Sequence, residues 1–225
     1  MSQVTRMGNQ VYRLTTPRSD GEIPCHQYLL VDELSALISL GTIQMVDEVR
    51  ESLPIPVSRL TYVVTPHFEG DECGGLARLL ELAPQVVPVC SHTCARQLFR
   101  FGICHSSLIV SDGDRLDLGA LRLRFIATPH VHQWDSILTY EETMGILFSS
   151  DLFMQRKDTW GLPPEALMAE VVEVARGIMP SPRALGQALE KIQELDIKVI
   201  APGHGRLLTS NVESYVSALK DVAKS

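Results

Sequence analysis

The sequence predicts an α/β chain in which two β-sheets pack face to face between outer helices, a four-layer αββα arrangement. Two observations predict it. Strand-like and helix-like segments alternate along the chain with no long linker, which ties them into one core. The strand segments are also of two kinds. Short apolar runs sit in a β-α-β-α order in the first half, and a later stretch alternates polar and apolar residues, as antiparallel strands with one wet face do. With 225 residues, 45% hydrophobic and 21% charged, the chain can bury a core of that size, and residues 1–225 are expected to form one domain.

Taken in order, Gln27 to Val31 and Leu34 to Leu40 flank the turn-like Asp32-Glu33 and predict an antiparallel pair. Ile43, Val46, Val49 and Leu53 fall at helical spacing, and Pro54 and Pro56 stop that helix. Leu60 to Thr65 is a short buried strand ending at Pro66. Gly74-Gly75 is expected to turn the backbone sharply into a helix carrying Leu76, Leu79 and Leu80. A strand at Val86 to Val89 and a helix capped by Ser91 follow. Arg115 to Asp117 and Leu121 to Ile126 alternate around Gly119, and Gly145 to Ser149 is another apolar strand. Helices at about Pro164 to Ile178, Pro182 to Leu195 and Asn211 to Val222 close the chain, with a strand at Ile197 to Ala201 before the last.

Charge and cysteine usage exclude several function classes. The net charge of −7 repels phosphate backbones and anionic lipid, so neither nucleic acid nor membrane is an expected partner. No apolar run approaches the roughly 18 to 20 residues of a membrane helix, and Met1 to Arg13 lacks the apolar stretch of a signal peptide, so the cytoplasm is the expected compartment. Five cysteines, an odd number in a chain of this size, argue against a disulfide framework.

Chemistry concentrates just beyond strand ends. His67-Phe68-Glu69-Gly70-Asp71-Glu72 follows the strand ending at Thr65-Pro66, and in an extended segment the spacing of two would point His67, Glu69 and Asp71 the same way. Thr128-Pro129-His130-Val131-His132, Ser149-Ser150-Asp151 and Ala201-Pro202-Gly203-His204-Gly205 stand in the same relation to three further strands. One His or Asp at a strand end is ordinarily structural. Four such ends, one of them with four candidates in six residues, point to a shared metal centre. Cys90, His92, Cys94, Cys104 and His105 lack the Cys-x2-Cys spacing of a zinc knuckle and read as buried small residues. Cys73 reads as packed beneath the site or supporting it, and Trp134 and Asp135 as shaping the loop beside His132.

These motifs resemble the metallo-β-lactamase superfamily and, within it, the di-iron oxygen-binding domain of flavodiiron proteins. The likeness lies in Thr65-Pro66-His67-Phe68-Glu69-Gly70-Asp71, the Phe125 to Ser136 segment, Gly145 to Asp151 and Pro202-Gly203-His204-Gly205, and it runs from about Val11 to the last helix. Glu69 stands where the zinc hydrolases usually have His. His132 lies four residues after Thr128 and Ser136 eight after it, the spacing of the di-iron branch. A mixed His and carboxylate set suits iron or manganese, and zinc tolerates it.

The resemblance implies a metallo-β-lactamase-like αββα domain holding two iron ions. His67, Glu69 and His132 would take one ion, Asp71 and His204 the other, and Asp151 would bridge them, with His130 the rival of His132. Glu72 departs from the family, which has a ligating histidine there, and is expected either to ligate the second ion through its carboxylate or to turn outward. The function implied is binding and reduction of O2 or NO with electrons from an external donor, a flavoprotein or a rubredoxin-like protein, or oxygen sensing. No FMN is expected within this chain, which ends at Ser225 without room for a flavodoxin domain, and a homodimer is the expected assembly. The alternatives are a metal-dependent hydrolase of thioesters, lactones or phosphodiesters, and a non-catalytic O2-binding signalling module.

Overall fold

The computed structural model describes residues 2–17, 23–104, 106–156 and 161–224. Strands β1 (Gln3–Arg6), β2 (Val11–Thr16), β3 (Cys25–Val31), β4 (Ser35–Ile38), β5 (Tyr62–Val64), β6 (Val87–Ser91) and β7 (Leu108–Val110) form a seven-stranded sheet in that order. The second sheet has the order β12 (Val199–Pro202), β11 (Ile146–Ser150), β10 (Ile137–Glu141), β9 (Arg122–Ala127), β8 (Arg115–Asp117). The helices are α1 (Val46–Ser52), α2 (Gly70–Cys73), α3 (Leu76–Leu82), α4 (His92–Arg100), α5 (Pro164–Ile178), α6 (Pro182–Gln193) and α7 (Val212–Ala223).

Three apolar clusters make four layers of these elements. Residues of both sheets, among them Val11, Tyr28, Leu30 and Val64 from the first and Leu123, Phe125, Ile137 and Phe148 from the second, fill the space between them. The opposite face of the first sheet packs Leu14, Leu29, Leu37 and Val63 against Val46 and Val49 of α1, Leu76 and Leu79 of α3 and Leu98 of α4. The opposite face of the second sheet packs Leu138, Leu147 and Ile200 against α5, α6 and α7. Period-two alternation delivers neighbouring residues to opposite layers: Leu29 faces the helices while Tyr28 and Leu30 face the other sheet. Each fully buried leucine of this kind contributes about 1.5–3 kcal/mol.

The αββα arrangement is therefore the one the sequence predicts, with local differences. The N-terminal strands β1 and β2 pair antiparallel and extend the first sheet beyond β3. Leu108–Val110 pairs in parallel with β6 and so belongs to the first sheet. Ile43 lies ahead of α1 and is exposed. Gly74 and Gly75 both take right-handed helical angles, so sharp turning is not their use. Their use is close approach: a Cβ on Gly75 would sit 2.0 Å from Val46 Cγ2. Ser91 caps α4 as expected, its hydroxyl accepting from the Cys94 N–H.

The topology gathers chemistry at one rim. Strands β4 and β5 are parallel and β3 is antiparallel to β4, so the start of β3 lies at the same edge as the end of β5. In the second sheet β9, β11 and β12 run the same way, and their C-terminal ends share one edge. The two edges are sewn together there: the Tyr28 hydroxyl donates to the Pro202 carbonyl at 2.6 Å and the His26 N–H to Gly203 O at 2.8 Å.

Candidate metal centre

At this rim six of the predicted residues converge. His67 and Glu69 follow β5, His132 lies in the loop after β9, Asp151 directly follows β11, and His204 follows β12. Ligand atoms of His67, Glu69, His132 and Asp151 all lie within 4.8 Å of one another. Glu69 Oε2 is 2.9 Å from His67 Nε2 and 3.1 Å from His132 Nε2, and Asp151 Oδ2 is 2.9 Å from His132 Nε2 and 3.5 Å from His67 Nε2. A second group lies alongside, in which His204 Nε2 is 3.3 Å from Asp71 Oδ2 and 3.7 Å from Asp151 Oδ1. The two oxygens of Asp151 thus face different groups. Ser150, with φ at 47°, makes the left-handed turn that aims Asp151 into the site.

The segment after β5 is bent rather than extended, the Glu69 N–H donating to His67 O, and α2 begins at Gly70. Consecutive residues of a helix point about 100° apart, so Asp71 reaches His204 while the Glu72 carboxylate lies beside the centre, near His67 and Asp151. The structure excludes one of the two placements expected for Glu72, the outward one. Its side chain does not point to solvent, and it joins neither group of convergent ligand atoms. The carboxylate is buried and accepts hydrogen bonds from the Ser39 and Ser150 hydroxyls, so both oxygens are already engaged. Burial raises its pKa, and the nearby His67 opposes that rise.

Supporting contacts orient the rings. Ser150 Oγ, which gives its proton to Glu72, can only accept from His67 Nδ1, 3.3 Å away. That tautomer leaves Nε2 of His67 facing Glu69 and Asp151 with its lone pair available. His204 Nδ1 lies 3.1 Å from the Pro24 carbonyl, which fixes its ring in the same manner. Gly205, at φ +94°, has no room for a side chain: a Cβ would lie 2.5 Å from Gln155 Oε1. Asp135 does support the site, but through Phe68, whose N–H it accepts at 2.8 Å, and so it holds the His67 to Glu69 loop. The Cys73 thiol donates to Glu69 O. His130 is exposed and outside both groups.

Electrostatics marks the centre as a place for cations. Burial alone would lower the His132 pKa, but its bonds to Asp151 and Glu69 outweigh burial and raise it to about 10. His204 rises to about 9 against the same burial, through Asp71 and Asp151. The two histidines hold the Glu69 carboxyl far below its ordinary range. A partly buried carboxylate cluster of this density needs positive charge, and protons on imidazole supply it in the metal-free chain. Metal ions would replace those protons. The donor chemistry therefore fits two adjacent divalent ions. Above the centre lies a cleft of about 760 Å³, lined by its acidic and imidazole groups together with Ile23, Thr42, Met154, Arg156 and Ile178.

Residues 23–205 match the family described as ODP family beta lactamase. The chain belongs to this family. Among curated relatives, this ODP-family chain is 29% identical over 191 residues to the nitric oxide reductase of Moorella thermoacetica, covering 79% of this chain and 48% of that one. It is 29% identical over 184 residues to the coenzyme F420H2 oxidase of Methanothermobacter marburgensis, covering 72% and 44%. Among solved structures, the flavodiiron protein of Giardia intestinalis superposes with a TM-score of 0.88 at 24% identity, covering 99% of this chain and 59% of that chain. The ODP-family chain spans from 28% to 52% of the length of the curated relatives it matches. The comparisons give the hydrolase reading no support.

The sequence missed three participants. Ser39 and Ser150 carry no signal beyond lying near strand ends. Cys25 carries a weak one, standing between Pro24 and the polar pair His26-Gln27. Its sulfur falls within 4.8 Å of ligand atoms of Asp71 and His204. Cys90, Cys94 and Cys104 are buried and join no such group among the described residues, and His105 lies outside them. No helix among the described residues is long and apolar enough to cross a membrane.

Proposed function

We propose that the chain holds two iron ions, one on His67, Glu69 and His132 and one on Asp71 and His204 with Asp151 shared, and that it reduces O2 or NO with electrons from a separate protein donor. The observation that carries the reading is the convergence of six side chains from four strand ends, with the two oxygens of one aspartate divided between two ligand groups. Family membership and the redox names of relatives from two organisms support it. Bound iron would supply electrons and Lewis acidity to a small diatomic ligand.

The rest belongs to the chain. Ser150 and Pro24 hold His67 and His204 in the tautomers that ligate. Glu69 and Asp151 keep the centre anionic, which stabilises the higher charge of oxidised iron. Ile23, Met154 and Ile178 add apolar surface to a cleft otherwise lined mainly by charged and imidazole groups.

The test is anaerobic loading with ferrous iron, then O2 or NO uptake in the presence of a small flavoprotein reductase. Sustained uptake that is lost in His67→Ala is expected. If ferrous protein is inert to both gases while zinc protein cleaves thioesters or lactones at about 1 s⁻¹ or faster, the hydrolase is the correct reading.

A further inference from the structure

We propose that Cys25 is a metal ligand, so that the second position of the centre is a mixed thiolate, carboxylate and imidazole site. The proposal rests on the two-ion reading above and adds to it a residue that the family pattern does not supply.

Three observations carry it. The Cys25 sulfur lies within 4.8 Å of a carboxylate oxygen of Asp71 and of a ring nitrogen of His204, and those two side chains are themselves 3.3 Å apart. The backbone holds the thiol in that place: His204 is tied to the Pro24 carbonyl, and the His26 N–H donates to Gly203 O, so β3 and the His204 loop are joined on either side of Cys25. Finally, among the described residues few other donors reach this position. Glu72 is engaged by two serine hydroxyls, which leaves Asp71, His204 and a share of Asp151. Cys25 brings that set to four, the usual complement for a zinc-like ion.

The simpler reading of Cys25 is a buried apolar residue, and it is in fact 2% exposed and packed at the edge of the first core cluster. Cys90 and Cys94 fit that description fully. Cys25 does not, because one side of it meets an aspartate and a histidine that both offer ligand atoms. Thiolate is a soft donor that disfavours magnesium and manganese and favours zinc, cobalt and iron. The two positions should then differ in metal preference, the first being hard with two carboxylates and two imidazoles, the second softer. Ligation requires the thiol to release its proton as the ion enters.

Cobalt(II) tests this without reference to turnover. Full-length protein, stripped of metal and kept anaerobic, is titrated with cobalt(II) while the visible ligand-field bands and the near-ultraviolet thiolate-to-cobalt band are followed. Wild-type protein and Cys73→Ser should bind two equivalents and develop the thiolate band. Cys25→Ser and Cys25→Ala should keep one tight equivalent, lose the thiolate band, and bind the other at least about tenfold more weakly, the smallest loss seen when even a partner of a ligand is removed. A measurement on wild type alone guards against misfolded variants: X-ray absorption of the two-zinc form should show a sulfur neighbour at about 2.3 Å. Two bound equivalents with no thiolate band and no sulfur neighbour, or a band that survives in Cys25→Ser, would overturn the assignment of Cys25 and leave the two-ion reading standing. Wild-type protein that binds fewer than two equivalents would overturn both.

Discussion

The first position takes His67, Glu69, His132 and Asp151 from loops that follow three strands, whereas the second takes Asp71 from a helix start, His204 from a glycine-flanked loop and Cys25 from the beginning of a strand. The first is closely knit, with four ion-pair distances between 2.9 and 3.5 Å. The second is looser at 3.3 and 3.7 Å, and it depends on β3, which runs antiparallel to β4 and so begins at this rim. A loop after a strand can carry ligands at fixed spacing, as His67 and Glu69 do, so the first position is built from local strand-end patterns. The second is assembled by packing, and its composition can change when one residue of one element changes. Cys25 belongs to that half, whereas Glu72, which the resemblance would place there as a ligand, joins neither group.

Asp151 is common to both halves, so its loss should have the largest effect. Asp151→Ala and Asp151→Asn should each abolish tight binding at both positions, read as elemental stoichiometry after gel filtration. Two retained equivalents in either variant would show that the halves do not share it.

His132 separates the halves. Its ring touches Glu69 and Asp151 and no member of the Asp71 group, and its side chain is 18% exposed, so removing it leaves little cavity. His132→Ala should reduce iron to one equivalent while keeping the thiolate-to-cobalt band of the second position. Loss of that band along with the first ion would mean that the halves assemble only together.

Much of this was legible in the sequence, because strand ends followed by His, Asp or Glu are local patterns. The layers were legible too, through the apolar run Leu34 to Leu40, the polar and apolar alternation of Leu121 to Ile126 and the amphipathic pattern of α5 to α7. What escaped was set by three-dimensional pairing. Whether Glu72 faced the ions turned on a four-residue helix beginning one residue after Glu69, too short to show a period. Cys25 became a neighbour of residues 71 and 204 only because β3 is antiparallel to β4, and β4 parallel to β5. No spacing within one segment encodes that.

Glu72 should matter less than any ligand. Removing it leaves the Ser39 and Ser150 hydroxyls without their acceptor, so Glu72→Ala should destabilise the metal-free chain by about 1–3 kcal/mol. Through Ser150 and His67 it should also weaken the first position by roughly 10- to 100-fold. Glu72→Gln should do less on both counts. Glu72→His should fail to tighten the second ion, measured as its rate of loss to a chelator. A slower loss would restore residue 72 as a ligand position and break the comparison at its weaker half.

The smallest effect should come from His26, which braces the second half and is silent near neutrality. Its Nε2 donates to Gly205 O at 2.7 Å, beside His204, while its buried Nδ1 has no hydrogen-bond partner. Protonation would create a buried, unpaired N–H near Arg13, and burial together with that arginine lowers its pKa from 6.5 to about 3. A histidine with a depressed folded pKa contributes its full stability above the unfolded value. That stability is lost as pH falls from about 6.5 toward 3, at about 1.4 kcal/mol per pH unit. His26→Gln keeps a donor for Gly205 and cannot titrate, so its urea unfolding curve should match wild type at pH 7.5 and fall off less steeply between pH 6 and 4. Parallel acid limbs for the two proteins would place the acid sensitivity in the ligand carboxylates and histidines instead, and would remove His26 from the account of how the second half is held.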